Sequence, residues 1–518
     1  MAQDSATGAL LDALRFQLRS DQLSVQKTER MIYSRDLWPL QTIRLSAGRL
    51  PPLPGVIVWP RSEADVLHIL SVARRFHVPI TPYGGGSGVL GGAMASPGAI
   101  IMDMKRMNRI LEISERSATL EVEPGILGQH LEDKLNEKGY TLGHFPSSLM
   151  TASVGGYLAT RSAGQYSSRY GKIEDMTLSI RFVDGLGHVI DTAGDELREG
   201  APDLKQLILG CEGTLGVVTS ARLKIHPLPA ARAWRGIRFG SVGAGLATMR
   251  AIMQEGLRPS VLRLYDEIDT LLVGKGDDPL EGAVGGSGAA RGHGPGLLGR
   301  FPGVARQAVR LALGRPALLE SLGKRILPHE VLLIIGFEGG EEEVEASMPA
   351  AVALARSVGG VDLGAGPGLK WFEKRYDVSF KMPTFFHLGA FVDTCEVAAT
   401  WSRILPLYHA VRAAASPHVL VMAHFSHAYP EGASIYFSIG GRADGQEDAE
   451  RRYRAAWQAI LDVTRHHGGT ISHHHGVGRW KAPWATREHA DFLDRYRMLK
   501  AAFDPMNILN PGKLYVLD

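Results

Sequence analysis

A run of glycines, Gly84-Gly85-Gly86-Ser87-Gly88-Val89-Leu90-Gly91, restricts the fold of this chain more than any other segment. It follows the extended text Pro79-Ile80-Thr81-Pro82 and contains a literal G-x-G-x-x-G at Gly86, Gly88 and Gly91. A dinucleotide-binding βαβ unit needs a helix to start at those glycines. The continuation Gly92-Ala93-Met94-Ala95-Ser96-Pro97-Gly98 leaves no room for three helical turns before the Pro-Gly break. A Rossmann unit is therefore rejected. What remains is a strand followed by residues free to take positive φ. Their successive N–H groups form a nest suited to a pyrophosphate. A plain glycine-rich turn is the competing reading.

Two further runs of small residues repeat the pattern. Ser147-Ser148-Leu149-Met150-Thr151-Ala152-Ser153-Val154-Gly155-Gly156 offers hydroxyls and backbone amides without bulk, and Ala159-Thr160-Arg161-Ser162 follows at once. Glu212-Gly213-Thr214-Leu215-Gly216-Val217-Val218 is the third, running into a strand. Three such runs beside strands point to one long ligand threaded across several loops, and a flavin dinucleotide is long enough to need them.

The text around these runs divides the chain. Residues 1–50 read as helices, and Pro51-Pro52-Leu53-Pro54-Gly55 is a boundary. Residues 51–228 alternate short strands and helices. Residues 229–502 have longer helices between strands such as 331–337, 419–423 and 434–440, and 503–518 form a tail rich in turn residues. Within the second part, 274–296 is a glycine-rich insertion read as a mobile loop. Residues 297–325 alternate leucines with Arg300, Arg306, Arg310, Arg315, Lys324 and Arg325. That basic amphipathic text fits either a packed helical pair or contact with a membrane surface.

Composition removes several function classes. Lys+Arg 57 against Asp+Glu 54 gives a net charge of +3, too balanced for a nucleic-acid binder. Two cysteines, Cys211 and Cys395, cannot form a disulfide scaffold and fit a reducing, cytoplasmic setting. The chain has neither an apolar run long enough to span a membrane nor a secretory leader at its start.

The chemistry-bearing residues gather late. In Ser434-Ile435-Tyr436-Phe437-Ser438-Ile439 the apolar side chains alternate with polar ones, so Tyr436 turns away from the core. It either faces a cleft or satisfies a hydrogen bond at a sheet surface. Ile471-Ser472-His473-His474-His475-Gly476 concentrates three imidazoles. They can transfer protons and bind anions near neutral pH, sit structurally, or ligate a metal. Nearby carboxylates and thiols are scarce, so no metal is expected. On a strand, His473 and His475 would share one face and His474 the other.

The order Pro82-Tyr83-Gly84-Gly85-Gly86-Ser87-Gly88, then Ser147–Ser153, Ala159–Ser162 and Glu212–Val218, resembles the vanillyl-alcohol oxidase / p-cresol methylhydroxylase family of flavoproteins. The tail Phe503-Asp504-Pro505 to Asn510-Pro511-Gly512-Lys513 fits the same family. The resemblance implies an α+β fold: a two-lobed FAD-binding domain and an α+β cap domain with an antiparallel sheet. It assigns cofactor contacts to Pro82, Tyr83, Gly84, Gly85, Gly86, Ser87, Gly88, Ser147, Ser148, Leu149, Thr151, Ala152, Ser153, Ala159, Thr160, Arg161, Ser162, Glu212, Gly213, Thr214, Leu215, Gly216, Val217 and Val218. Some members attach FAD to a histidine beside the glycine loop. Residues 82–92 contain none, so noncovalent FAD is expected.

Within that family, Ala433–Phe437 together with Ser472–Gly478 resembles the alkylglycerone-phosphate synthase branch. The branch implies a redox-neutral exchange of the acyl group of acyl-dihydroxyacetone phosphate for a fatty alcohol. Tyr436 would move the C1 proton, and His473, His474 and His475 would assist the acid and alcohol steps. Arg263 matches a functionally important family arginine, with an ion pair to Asp266 as the structural alternative. Where the branch carries an Arg-Asp pair for the substrate phosphate, this chain reads Phe380-Lys381-Met382-Pro383, so Lys381 would supply a point charge instead of a bidentate fork. The alternative on the same scaffold is an FAD-linked oxidase or dehydrogenase of a 2-hydroxyacid, as in the D-lactate dehydrogenases, or of an alcohol. The expected partners are a lipid-type small molecule, a peripheral membrane contact and a second copy of the chain, with no nucleic acid.

Overall fold

A computed structural model describes residues 2–193, 202–274, 330–376 and 390–517. The glycine-rich insertion 274–296 beyond Gly274, the basic segment 297–325 and Lys381 lie outside the described residues. The fold is α+β. The chain forms two compact units: Met1–Gln41, Gly48–Leu228 and Ser472–Asp518 make the first, and Thr42–Ala47 with Pro229–Ile471 make the second.

The first unit holds two main sheets. In one, Leu23–Ser24, Val56–Val58, Ile100–Asp103 and Ile80–Tyr83 lie in that order, the last three parallel. Helix Glu63–Phe76 supplies the crossover between Val56–Val58 and Ile80–Tyr83. Ser62 caps it by accepting the Asp65 N–H, and Val66, Ile69, Leu70 and Ala73 form its buried stripe. Leu10, Leu14 and Leu18 from the N-terminal stretch complete that core. Ile80–Tyr83 lies at the end of the strand order, where Pro82 is tolerated because it lacks only an N–H. The C-terminal tail runs beside it: Ile80 N–H donates to Ile508 O, and Asn510 N–H donates to Ile80 O.

The other sheet is antiparallel, ordered Ile110–Ser114, Thr119–Val122, Val217–Lys224, Thr177–Val183 and Val189–Asp191. Its core takes in Leu131, Leu135, Tyr157 and Leu158 from helices Gly128–Asn136 and Val154–Thr160.

The second unit is built on a seven-stranded antiparallel sheet. Its order is Val361–Asp362, Ala231–Phe239, Val331–Gly339, Val261–Tyr265, Leu420–Ala428, Gly432–Arg442 and Ala390–Thr400. Val331-Leu332-Leu333-Ile334-Ile335 is an uninterrupted apolar run because its strand is buried on both faces. Helices Val242–Gln254 and Glu341–Ser357 pack on the sheet, as does Gly366–Lys374. The last approaches closely at Gly236, where an added Cβ would meet Pro367 Cβ at 2.7 Å. Trp401–Ala415 and Gln446–His466 pack together against the strands at the far end.

Candidate active site

The first unit brings the glycine loop and the second small-residue run into contact. A Cβ at Gly84 would meet Ser153 Oγ at 2.3 Å, and one at Gly85 would meet Thr151 O at 1.7 Å. Any side chain at these two positions would separate the runs, so glycine is required by approach. At Gly86 it is required by conformation as well, since φ is +64°. Lys105 Nζ bonds Gly84 O (2.9 Å) and the buried Asp103 Oδ2 (2.8 Å), which holds the start of the loop. Gly84 to Gly86 and Ser87 are half-buried and Gly88 is exposed, so backbone stays accessible. The loop thus presents accessible backbone amides packed against a hydroxyl-bearing run, donor chemistry that suits a pyrophosphate.

Several other expected cofactor residues have side chains already tied into the fold. Arg161 Nε donates to Leu209 O (2.9 Å) and its Nη2 to Gln206 O (3.0 Å). Thr160 Oγ1 donates to Gly156 O (3.0 Å). Thr214 Oγ1 lies 2.7 Å from both Cys211 O and Tyr496 Oη. Leu149, Ala152, Leu215 and Val217 are buried. Ser153 accepts the Gly156 N–H as the cap of helix Val154–Thr160.

Glu212 does something the sequence did not indicate. Its buried carboxylate turns to the loop after the histidines, accepting from Val477 N (2.5 Å) and from Gly478 N (3.0 and 2.9 Å to its two oxygens). Burial pushes this carboxyl up, while the Gly478 and Val477 N–H groups and the charges of Lys513 and Lys481 pull it back. The same loop is tied to the glycine run, since Arg479 N and Trp480 N both donate to Leu90 O (2.9 and 3.0 Å). Asn510 Nδ2 donates to Gly92 O (3.1 Å) and Glu212 O (2.7 Å). Within the first unit, the glycine loop, the third run, the triple histidine and the tail are thus one hydrogen-bonded assembly.

The three histidines lie in a loop, which corrects the expected strand alternation. Gly476 and Gly478 take positive φ (+78° and +57°) and break any extended run. Successive rings instead sit edge to face, with centroids 5.2 Å apart for His473–His474 and 4.5 Å for His474–His475. The Nδ1 atoms of His473 and His474 are 3.0 Å apart. His144 was not singled out by any sequence pattern. It is buried, with Nε2 2.6 Å from Ser162 Oγ, and burial holds its pKa down to about 3, so it is neutral.

The second unit carries the phenol. As the alternation requires, Ile435, Phe437 and Ile439 are buried and Tyr436 is half-buried on the opposite face. Tyr436 pairs across strands with His424, which pairs with Tyr265, so all three share that face. Burial, first of several causes, pushes the Tyr436 phenol up to about 12. Its hydroxyl accepts from Thr394 Oγ1 at 3.3 Å. Arg263 points to His424, 2.7 Å from Nη2 to Nε2, and not to Asp266. Asp266 instead accepts from Arg412, Tyr408 and the Ala423 N–H. Among the described residues, no group of three or more His, Cys, Asp or Glu is arranged to hold a metal ion. No helix among them is long and apolar enough to cross a membrane.

The first unit carries the glycine-rich cradle and the triple histidine, the second carries Tyr436, and comparison with known proteins identifies the fold. The model of the FAD binding domain matches residues 54–193, and that of the C-terminal domain of FAD linked oxidases matches residues 228–514. The chain belongs to this family of FAD-linked enzymes, and its cofactor is FAD. Among its relatives, the alkyldihydroxyacetonephosphate synthase of Dictyostelium discoideum is 30% identical over 510 residues, 95% of this chain and 78% of that protein. A solved alkyldihydroxyacetonephosphate synthase matches with TM-score 0.75 at 27% identity, covering 97% of this chain and 84% of that one. Substrate-bound p-cresol methylhydroxylase shares the fold, with TM-score 0.69 at 16% identity over 98% and 97% of the two chains. The family resemblance read from the glycine, serine and histidine motifs is borne out.

Proposed function

We propose that this enzyme exchanges the acyl group of acyl-dihydroxyacetone phosphate for a fatty alcohol, forming the ether bond of an ether lipid without net redox change. The observation that carries the reading is the similarity to alkyldihydroxyacetonephosphate synthases along 95% of the chain. Tyr436 and the triple histidine support it, since both are acid–base groups that such an exchange needs. Bound FAD supplies an electron-accepting ring system. Pro82 to Gly88 and Ser147 to Ser153 hold its pyrophosphate noncovalently through backbone amides and hydroxyls. Tyr436 moves the proton at C1 of the substrate. His473, His474 and His475 protonate the departing carboxylate and take the proton of the incoming alcohol. Arg263 binds anionic oxygen, and Lys381 meets the phosphate as a point charge. The protein works in the cytoplasm as a homodimer, against a membrane that the basic segment 297–325 touches.

Incubation with acyl-dihydroxyacetone phosphate and labelled hexadecanol tests the reading: labelled alkyl-dihydroxyacetone phosphate and free fatty acid should appear in equal amounts. Flavin bleaching by 2-hydroxyacids with no ether product would replace it with the oxidase alternative. Tyr436→Phe should lower turnover per bound flavin by about 10²–10⁴. Retention of more than about a tenth of wild-type turnover removes Tyr436 from the mechanism.

A further inference from the structure

His424 joins two of these groups. In the sheet it stands between Arg263 and Tyr436. Its ring stacks on that of Tyr436, with centroids 4.8 Å apart and planes inclined by 18°. Its Nε2 lies 2.7 Å from Arg263 Nη2, and its Nδ1 lies 3.4 Å from Asp269 Oδ2.

The protonation pattern follows from donors and acceptors. Arginine has only N–H donors, so the imidazole atom facing it must be a lone pair. The ring proton is therefore on Nδ1, directed at the Asp269 carboxylate. This fixes both the tautomer and the ring plane, as a carboxylate does for many functional histidines. Burial, reinforced by the Arg263 charge, holds the His424 pKa down to about 4, which agrees with a neutral ring. Arg263 Nε is buried and has no acceptor among the described residues; the guanidinium is met there by His424 Nε2 and by the side chain of Tyr265, whose ring lies 5.3 Å from its Cζ.

We propose that His424 is a positioning residue: through Asp269–His424–Arg263 it fixes the guanidinium, and through its stacked ring it fixes the Tyr436 phenol relative to that charge. The inference rests on the reading of Tyr436 as the group that moves a proton. Nearby positive charge favours the ionised phenol that the proton transfer must form, and an angular error in either partner weakens that effect.

The test uses the full-length, flavin-loaded enzyme. His424→Phe keeps a ring against Tyr436 and removes both nitrogens. His424→Gln keeps an acceptor near the Nε2 position. Asp269→Asn leaves the histidine in place but can impose the other tautomer. We expect His424→Phe and Asp269→Asn to lower kcat by about 10- to 100-fold, with flavin content and melting temperature close to wild type. His424→Gln should recover a large part of the loss. His424→Phe placed on Tyr436→Phe should add little, because both act on one step. Wild-type kcat in His424→Phe at full flavin load would overturn the proposal. So would losses shared equally by Phe and Gln and accompanied by lost flavin, which would mark a packing role. If His424→Phe does not fold, wild-type kcat in Asp269→Asn overturns it instead. Near-normal turnover in Tyr436→Phe sinks the underlying mechanism, whereas an inactive Tyr436→Phe beside fully active His424 and Asp269 variants sinks this inference alone.

Discussion

Replacing Glu212 by glutamine isolates the bond that holds the histidine loop. The carboxylate accepts from two backbone N–H groups, and such bonds to a charged acceptor contribute about 1.5–3 kcal/mol each. Glutamine with its oxygen at the Oε1 position still accepts from Val477 N and Gly478 N, but its amide group replaces Oε2 and opposes the Gly478 N–H, donor against donor. The buried Lys513 and Lys481 also lose a countercharge, which adds to the cost. Against this, the neutral side chain no longer suffers the desolvation of a buried carboxylate. The net loss should be about 2 kcal/mol, or roughly 3–4 °C in melting temperature for a unit of about 270 residues. Thermal unfolding followed by flavin fluorescence measures it. Hydrogen exchange gives a local readout, in which the Val477 and Gly478 amides should lose protection while the central strand Val331–Gly339 does not. An unchanged midpoint with unchanged protection at Val477 and Gly478 would refute the clamp.

Other expectations are independent of that one. Acid precipitation should release all FAD into the supernatant, and flavin retained on the denatured protein would contradict noncovalent binding. Although burial pushes Glu450 up, hydrogen bonds from Arg44 and Arg454, both 2.8 Å, hold its carboxyl at about 2, below the ordinary value of 4.5. Its contribution is therefore present above about pH 4.5 and lost as the pH falls towards 2, so wild type and Glu450→Gln should differ in stability at pH 6 and converge near pH 2. Deleting residues 275–325 should weaken binding to anionic vesicles without changing flavin content, and unchanged vesicle binding would show that the segment serves packing instead.

What could be read in advance was whatever is local in the chain. The glycine loop was legible because Gly84 to Gly91 are constrained by approach and by φ at their own positions, with Pro97-Gly98 close behind to exclude a helix. Tyr436 was legible because period-two alternation survives folding. The strand alternation expected of the histidines does not apply, because residues 472–478 form a loop in which Gly476 and Gly478 take positive φ. Two other features depend on distance along the chain. Glu212 reaches a loop 265 positions away and Arg263 reaches His424 across 161. Neither pairing leaves a spacing signal; only the sheet order makes neighbours of Val261–Tyr265 and Leu420–Ala428. Asp269 was invisible for the same reason.

The discontinuity of the first unit has a consequence for how the protein is made. Its glycine loop and small-residue runs leave the ribosome early, yet several of their fastenings come last: Lys500 on Thr214 O, Asn510 on Gly92 O and Lys513 on Met94 O. The whole of Pro229–Ile471 is translated in between. At roughly 5–20 residues per second, the early strands wait on the order of tens of seconds before the segment that closes them exists. During that interval the second unit, nearly continuous in sequence, has all but Thr42–Ala47 of its parts in one stretch and is free to fold first. The usual N-to-C order of domain maturation can thus invert, and flavin capture waits until the tail through Lys513 has been made. Nascent chains stalled before residue 500 should engage chaperones and carry no flavin, whatever the FAD concentration around them.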